Sequence, residues 1–183
     1  MGISGKFEYF FFLKIFPFIK INNKMTNLGI ISDTHIYSKD EELPKKVLDE
    51  FSNVDMILHA GDFVSIDAFD ILSEIAETVG VRGNMDPADI EFSHCRRIEI
   101  EDLKIGLIHN AGSTREEPIK GPLNTARAMG VDVLVYGHTH ARFIKKVDDV
   151  LLLNPGSPTL ADSTGFMTAE ISGKKIDVKI FEI

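Results

Sequence analysis

From Leu28 onward the chain alternates short apolar runs with amphipathic stretches, and most of the apolar runs end in Asp, His or Asn. "LGIIS" (28–32) reads as a strand, "ELPKKVLDEF" as a helix with Pro44 in its first turn, and "VDMILHAG" (54–61) as a second strand. "SIDAFDILSEIAE" reads as a further helix with Ser65 as its N-cap, and "TVGVRGN" as a third strand. A βαβαβ order of this kind requires a parallel or mixed sheet with helices on its faces. The second half is mostly strand: hairpins turning at Glu101 and Asp102, at Asp148 and Asp149, and through Gly173, with one short helix, "PLNTARAMG", ending at Gly130. The expected architecture is α/β (α+β): two β-sheets face to face, each covered on its outside by helices.

Ligands in open α/β sheets gather beyond the carboxyl ends of the strands. Five such ends carry polar residues here: Asp33-Thr34-His35, Gly61-Asp62, Gly83-Asn84-Met85-Asp86, His109-Asn110 and Gly137-His138-Thr139-His140. Alternation along these extended ends places Asp33 with His35, and His138 with His140, on one side, so that each pair can point at one locus. Four of the six histidines then meet two aspartates and one asparagine. Imidazole and carboxylate together suit Mn, Fe, Co, Ni or Zn, and the absence of thiolates argues against a zinc finger. Seven ligands exceed one tetrahedral site and are enough for two metals that share a carboxylate.

Length and charge narrow the classes of function. A chain of 183 residues, 44% hydrophobic, is long enough for one core-forming domain. Net charge is -8, with 28 acidic against 20 basic side chains, which disfavours binding of extended nucleic acid. A single cysteine, Cys95, fits a reducing, cytoplasmic setting and has no assigned role. Residues 1–24 stand apart from the domain at 25–183: they carry four Lys against one Glu and the aromatic run "FEYFFFLKIFPFIKI". Lys14 and Pro17 interrupt that run, leaving it short of the ~20 apolar residues of a membrane helix. It also lacks a signal-cleavage site. Met25 reads as an alternative start, with a weak membrane-surface anchor as the functional alternative for 1–24.

The five motifs, D-x-H, G-D, G-N, a lone H and G-H-x-H, resemble in order and context the signature of the calcineurin-like metallophosphoesterase superfamily. Size, the short G-N-x-D and the "NPGSP" turn are similar to its small YfcE-like bacterial and archaeal phosphodiesterases, over residues 27–183. The resemblance implies a four-layer α-β-β-α sandwich of the metallo-dependent phosphatase type. It also implies that Asp33, His35 and His140 hold one metal, that Asn84, His109 and His138 hold a second, and that Asp62 bridges them. Asp62, Asn84 and His109 would be the catalytic centre. The implied cofactors are two divalent cations, Mn or Ni first, with Fe, Co or Zn as alternatives. The implied reaction is hydrolysis of small phosphodiesters by a hydroxide held between the metals.

The chain departs from the family pattern at two positions. Met85 stands where many members have a histidine that assists the leaving group, and Ala111 replaces the second His of an H-G-H motif. These departures bear on substrate range and favour substrates with good leaving groups. Asn110, Arg142 and Arg115 are the expected substrate contacts, because each lies near a metal motif and Arg can grip phosphate bidentately. His59 and His94 are read as structural, and "SGKK" near the tail as a turn. The alternatives are a phosphomonoesterase or protein phosphatase, or a catalytically weak protein-interaction scaffold such as the retromer subunit that uses this fold. The expected partner is a small phosphoester; no transmembrane segment is expected, and homo-oligomerisation is left open.

Overall fold

The computed structural model describes residues 19–21, 25–38, 40–161 and 164–183. The strands are β1 (Ile19–Ile21), β2 (Thr26–Ile31), β3 (Met56–His59), β4 (Glu77–Gly80), β5 (Cys95–Ile100), β6 (Leu103–Ile108), β7 (Val133–Val135), β8 (Phe143–Val147), β9 (Val150–Asn154), β10 (Gly165–Ser172) and β11 (Lys175–Glu182). The helices are α1 (Lys45–Phe51), α2 (Ile66–Ser73) and α3 (Lys120–Met129). One sheet runs β11-β10-β2-β3-β4 and the other β1-β5-β6-β7-β9-β8. β2, β3 and β4 are parallel, as are β6, β7 and β9. The carboxyl ends of these parallel strands carry the polar motifs.

Strand periodicity explains why two sheets stack. Leu28, Ile30, Met56 and Leu58 face inward and pack against Ile98, Ile105, Leu107, Val133 and Val135 of the other sheet. Their neighbours Ile31 and Ile57 face outward and bury Val47 and Phe51 of α1 and Ala68 and Leu72 of α2. Leu134 and Leu152 do the same with Ala126 and Met129 of α3. Each such aliphatic side chain, fully buried, contributes roughly 1.5–3 kcal/mol. The central strands of each sheet are thereby covered on both faces, in the expected four-layer order.

The hairpin turns fall where the sequence places them, with Glu101 and Asp148 in the left-handed region (φ 52° and 54°). Gly130 ends α3 at φ 64°, ψ 47°, and its N–H bonds to the last turn. Two cap expectations are corrected. Pro44 is not inside the first turn of α1 but precedes it in extended geometry, where its carbonyl accepts the Val47 N–H at 2.8 Å. Ser65 precedes α2 as expected, yet its side chain makes no capping bond. Its hydroxyl lies 3.5 Å from Asp67 Oδ2 instead.

β1 belongs to the segment 1–24 that the sequence sets apart. It pairs in parallel with β5, the Ile21 carbonyl accepts the Glu101 N–H at 2.9 Å, and Ile21 packs against the inter-sheet core. Residues 1–18 and 22–24, and with them most of the extension and its surface-anchor reading, lie outside the described residues. Among the described residues no helix is long and apolar enough to cross a membrane.

Candidate metal centre

The seven side chains of the strand-end motifs converge from both sheets on one locus. Ligand atoms of Asp33, His35, Asp62 and His140 all lie within 4.8 Å of one another. Asp62 Oδ2 is 3.3 Å from His109 Nε2 and 3.9 Å from His35 Nε2, and His140 Nε2 is 3.3 Å from Asp33 Oδ1. Asn84 Oδ1 lies 3.0 Å from His109 Nε2 and 2.8 Å from His138 Nδ1. Asp62 therefore stands between the group containing Asp33, His35 and His140 and the group containing Asn84, His109 and His138.

The backbone reaches this arrangement differently from the extended alternation expected. Asp33, His35, Asp62, His138 and His140 all have φ between 46° and 72°. The left-handed region is costly for such residues and is occupied where surrounding structure over-determines it. β2 ends at Ile31 and β7 at Val135, so the ligand motifs are turns beyond the strands rather than strand residues. As a result His138 and His140 diverge, His138 toward Asn84 and His140 toward Asp33.

Sequence-distant contacts hold these turns. The loop after β2 lies along the loop after β3, through Asp33 N–H to Gly61 O (2.9 Å), His35 N–H to Asp62 O (3.2 Å) and Ile36 N–H to Phe63 O (3.1 Å). The Ser157 hydroxyl donates to the Asp33 carbonyl at 2.7 Å, and Asn154 Nδ2 donates to the Gly137 carbonyl at 2.9 Å. Gly83 is required by close approach: a Cβ there would lie 2.0 Å from Asp62 Oδ1. The "NPGSP" turn, read in the sequence only as a family mark, thus supplies two anchors of the ligand loops. Asp86, given no role from the sequence beyond its place in G-N-x-D, is buried and accepts the Asp62 N–H at 3.1 Å.

Electrostatics follow from this packing. Burial alone would raise the Asp62 pKa, but the hydrogen bond from His109, the Met85 N–H at 2.7 Å and the nearby imidazoles bring it below the usual aspartate value. Burial disfavours a charged His109, yet its bond to Asp62 and the Asp33 and Asp62 charges outweigh that and raise its pKa. His140 is raised chiefly by its bond to Asp33. His35 is lowered, first by burial. His59 is fully buried, stacked on Phe63, and its ring nitrogens bond to the Gly61 N–H and the Thr34 hydroxyl, as its structural reading requires.

These residues fit a divalent cation. His109 Nδ1 lies 2.8 Å from the Ala60 carbonyl and His140 Nδ1 2.8 Å from the Leu160 carbonyl. A carbonyl only accepts, so Nδ1 keeps its proton in each. The Nε2 proton that a charged ring gives to Asp62 or Asp33 is the one released when the ring turns neutral, and Nε2 then offers its lone pair to a cation, the usual orientation of a metal-binding histidine. Neither ring nitrogen of His35, although buried, has a hydrogen-bond partner among the described residues. A buried imidazole without a partner is costly unless something else coordinates it. The spacing also agrees, since two atoms each ~2.1 Å from one cation sit about 3 Å apart.

The expected substrate contacts divide. A cleft of about 400 Å³ opens beside His140, lined by Ser113, Arg115, Pro118, Tyr136, Arg142 and Phe143 among others. Arg115 lies on its wall. Arg142 lines the same cleft, but its guanidinium is ion-paired with Glu182 at the carboxyl end of the chain. Asn110 is exposed and its Oδ1 accepts the Gly112 N–H at 2.9 Å, a local turn bond, and it does not line the cleft. Met85 contributes only its N–H to Asp62, and its side chain is exposed.

Comparison with known proteins identifies the family. A family model described as the calcineurin-like phosphoesterase superfamily domain matches residues 26–174. A probable metallophosphoesterase from Methanocaldococcus jannaschii is 48% identical over 134 residues, 73% of this chain and 68% of the relative. A phosphodiesterase from the same organism is 35% identical over 150 residues, covering 70% of this chain and 82% of the relative. Among solved structures, Vps29 from Entamoeba histolytica in complex with zinc superposes with a TM-score of 0.70 at 26% identity, covering 86% of this chain and 98% of that one.

Proposed function

Because this chain belongs to the calcineurin-like phosphoesterase superfamily, we propose that it is a phosphodiesterase dependent on two divalent transition-metal ions and acting on small phosphodiesters. In this reading Asp33, His35 and His140 hold one ion, Asn84, His109 and His138 the other, and Asp62 is shared. The observation that carries it is the convergence of seven ligand-type side chains on the two sides of Asp62, with both buried ring nitrogens of His35 lacking a hydrogen-bond partner among the described residues. When bound, the ions supply Lewis acidity, lowering the pKa of a water and offsetting charge on phosphoryl oxygens. The relative named a phosphodiesterase supports diester specificity, and the zinc complex of Vps29 supports transition-metal binding. Manganese or nickel is the first choice for assay, and the single thiol suits a cytoplasmic location.

The protein's own groups orient and hold. The Ala60 and Leu160 carbonyls fix the tautomers of His109 and His140, and the Met85 N–H fixes the Asp62 carboxylate. The cleft beside His140, with Arg115 on its wall, receives the alcohol portion of the substrate. No acid is present at residue 85 to protonate a departing alkoxide, so aryl esters are the favoured class. Replacing Met85 by histidine is expected to raise turnover of an alkyl phosphodiester by on the order of 10² while changing an aryl diester little, as for an added general acid. Equal gains on both substrates would show that leaving-group protonation was not the missing element.

Metal binding should depend on pH with a definite sign. The raised pKa values of His109 and His140 mean that, in metal-free protein, the charged imidazoles add stability below the ordinary histidine value of 6.5, and this is lost as pH rises through the raised values. Cations require the neutral rings. Affinity for Mn²⁺, followed by calorimetry, is therefore expected to fall on acidification, by about tenfold per pH unit for each histidine that must release a proton. A flat profile between pH 8 and pH 6 would remove these histidines from the ligand set.

The likeness to Vps29 supports one second reading, a catalytically weak interaction scaffold of the same fold. Metal analysis combined with hydrolysis of bis(p-nitrophenyl) phosphate and p-nitrophenyl phosphate separates the readings. The proposal expects diester turnover above monoester turnover. Faster monoester turnover would indicate a phosphomonoesterase. Absence of both metal and turnover would indicate the scaffold.

A further inference from the structure

Asp86 is 5% exposed and lies two residues beyond Asn84, yet it is outside the cluster of metal-ligand atoms. Its carboxylate is occupied by main-chain donors. Oδ2 accepts the N–H of Asp62 at 3.1 Å and of Gly83 at 2.7 Å, and Oδ1 accepts the N–H of Val64 at 2.8 Å. Asp62 and Val64, the residues it grips, have φ of 58° and 75°. Positive φ is especially unfavourable for a β-branched residue such as valine, so this turn needs outside restraint.

We propose that Asp86 is a positioning residue, whose carboxylate clamps residues 62–64 in a strained left-handed turn and so aims Asp62 at the imidazoles of His35 and His109. The clamp acts at both edges of the Asp62 site, because the same oxygen that takes the Asp62 N–H also takes that of Gly83, whose Cα side abuts the Asp62 carboxylate. The inference rests on the reading of Asp62 as the ligand shared by two ions. An asparagine at 86 keeps the shape but has one acceptor oxygen, so its NH₂ would face a main-chain donor. Glycine at 64 adopts positive φ without strain, and thus replaces by backbone freedom what the clamp supplies by hydrogen bonding.

The test is calorimetric titration of the full chain with Mn²⁺, together with electron paramagnetic resonance of the loaded protein, for wild type, D86N, V64G, D86N/V64G and L72A. D86N is expected to bind Mn²⁺ roughly 10–100-fold more weakly, as for other residues that orient metal ligands, and to lose the exchange-coupled signal of a bridged ion pair. D86N/V64G is expected to regain most of that affinity. L72A, which removes buried volume under α2 but none of the hydrogen bonds to Asp86, should melt earlier with unchanged Mn²⁺ affinity, so that lost stability alone is not mistaken for lost aim. Wild-type affinity in D86N, or a double variant no better than D86N, overturns the proposal. If D86N does not fold, D86N/V64G is compared with V64G, where near-equal affinity supports the clamp and an undiminished deficit overturns it. A wild type that binds Mn²⁺ without any coupled signal contradicts the shared ligand, while the affinity series still reads the role of Asp86.

Discussion

Replacing Asp62 by asparagine is expected to abolish turnover and weaken the binding of both ions. The substitution preserves shape and removes one negative charge from the centre of the cluster. It also puts either an NH₂ group or a neutral oxygen where Oδ2 now faces His109 at 3.3 Å and His35 at 3.9 Å. A shared ligand differs from a terminal one in that its loss is felt at both ions. Transition-state stabilisation by the metals is worth several kcal/mol, so turnover of an aryl diester with saturating Mn²⁺ should fall by about a thousandfold or more. Titration of the same variant should show reduced affinity at both sites. Loss at one site alone would make Asp62 a terminal ligand, and normal turnover would sink the two-metal proposal.

Gly137→Ala is expected to have the second largest effect. An added Cβ would lie 2.0 Å from Ser32 Oγ and 2.6 Å from Asp33 Oδ2, both residues fully buried. Relief by local movement is blocked on two sides, because the Gly137 N–H donates to the His109 carbonyl at 3.0 Å and its carbonyl accepts from Asn154 at 2.9 Å. The ligand Asp33 or the turn carrying His138 and His140 must therefore shift. Overpacking of this kind costs about 1–3 kcal/mol, and at about 2–4 °C per kcal/mol for a chain of this size the melting temperature should drop by several degrees. Measured in EDTA, that drop is independent of metal. A misplacement of about 1 Å at the site adds roughly a hundredfold loss of turnover. Unchanged melting together with unchanged turnover would mean that the close approach at Gly137 is not needed.

Much of the architecture was legible because its cause is local. Apolar runs such as Val133–Val135 and Val150–Leu153 are strands in any context that buries them, and hairpin turns at Glu101 and Asp148 follow from polar residues between such runs. The candidate ligands were legible because they end those runs. What could not be read was how the backbone carries them. Left-handed turns at Asp33, Asp62 and His138 are held by carbonyls, hydroxyls and carboxylates 24 to 124 residues away along the chain, and no local pattern reports such partners. The same reason hid the commitment of Arg142 to Glu182. It also hid Asp86, whose neighbours in sequence say nothing of the turn at 62–64 it holds.

The central claim is that this cluster binds two ions and that both are needed for diester hydrolysis. Stepwise addition of Mn²⁺ to metal-stripped protein, with bound ion counted per chain and bis(p-nitrophenyl) phosphate turnover read at each step, tests it most directly. Saturation at two ions per chain is expected, with activity rising as the second is bound. Saturation at one ion with full activity, or two bound ions with no turnover in Mn²⁺, Ni²⁺ or Co²⁺, would contradict it.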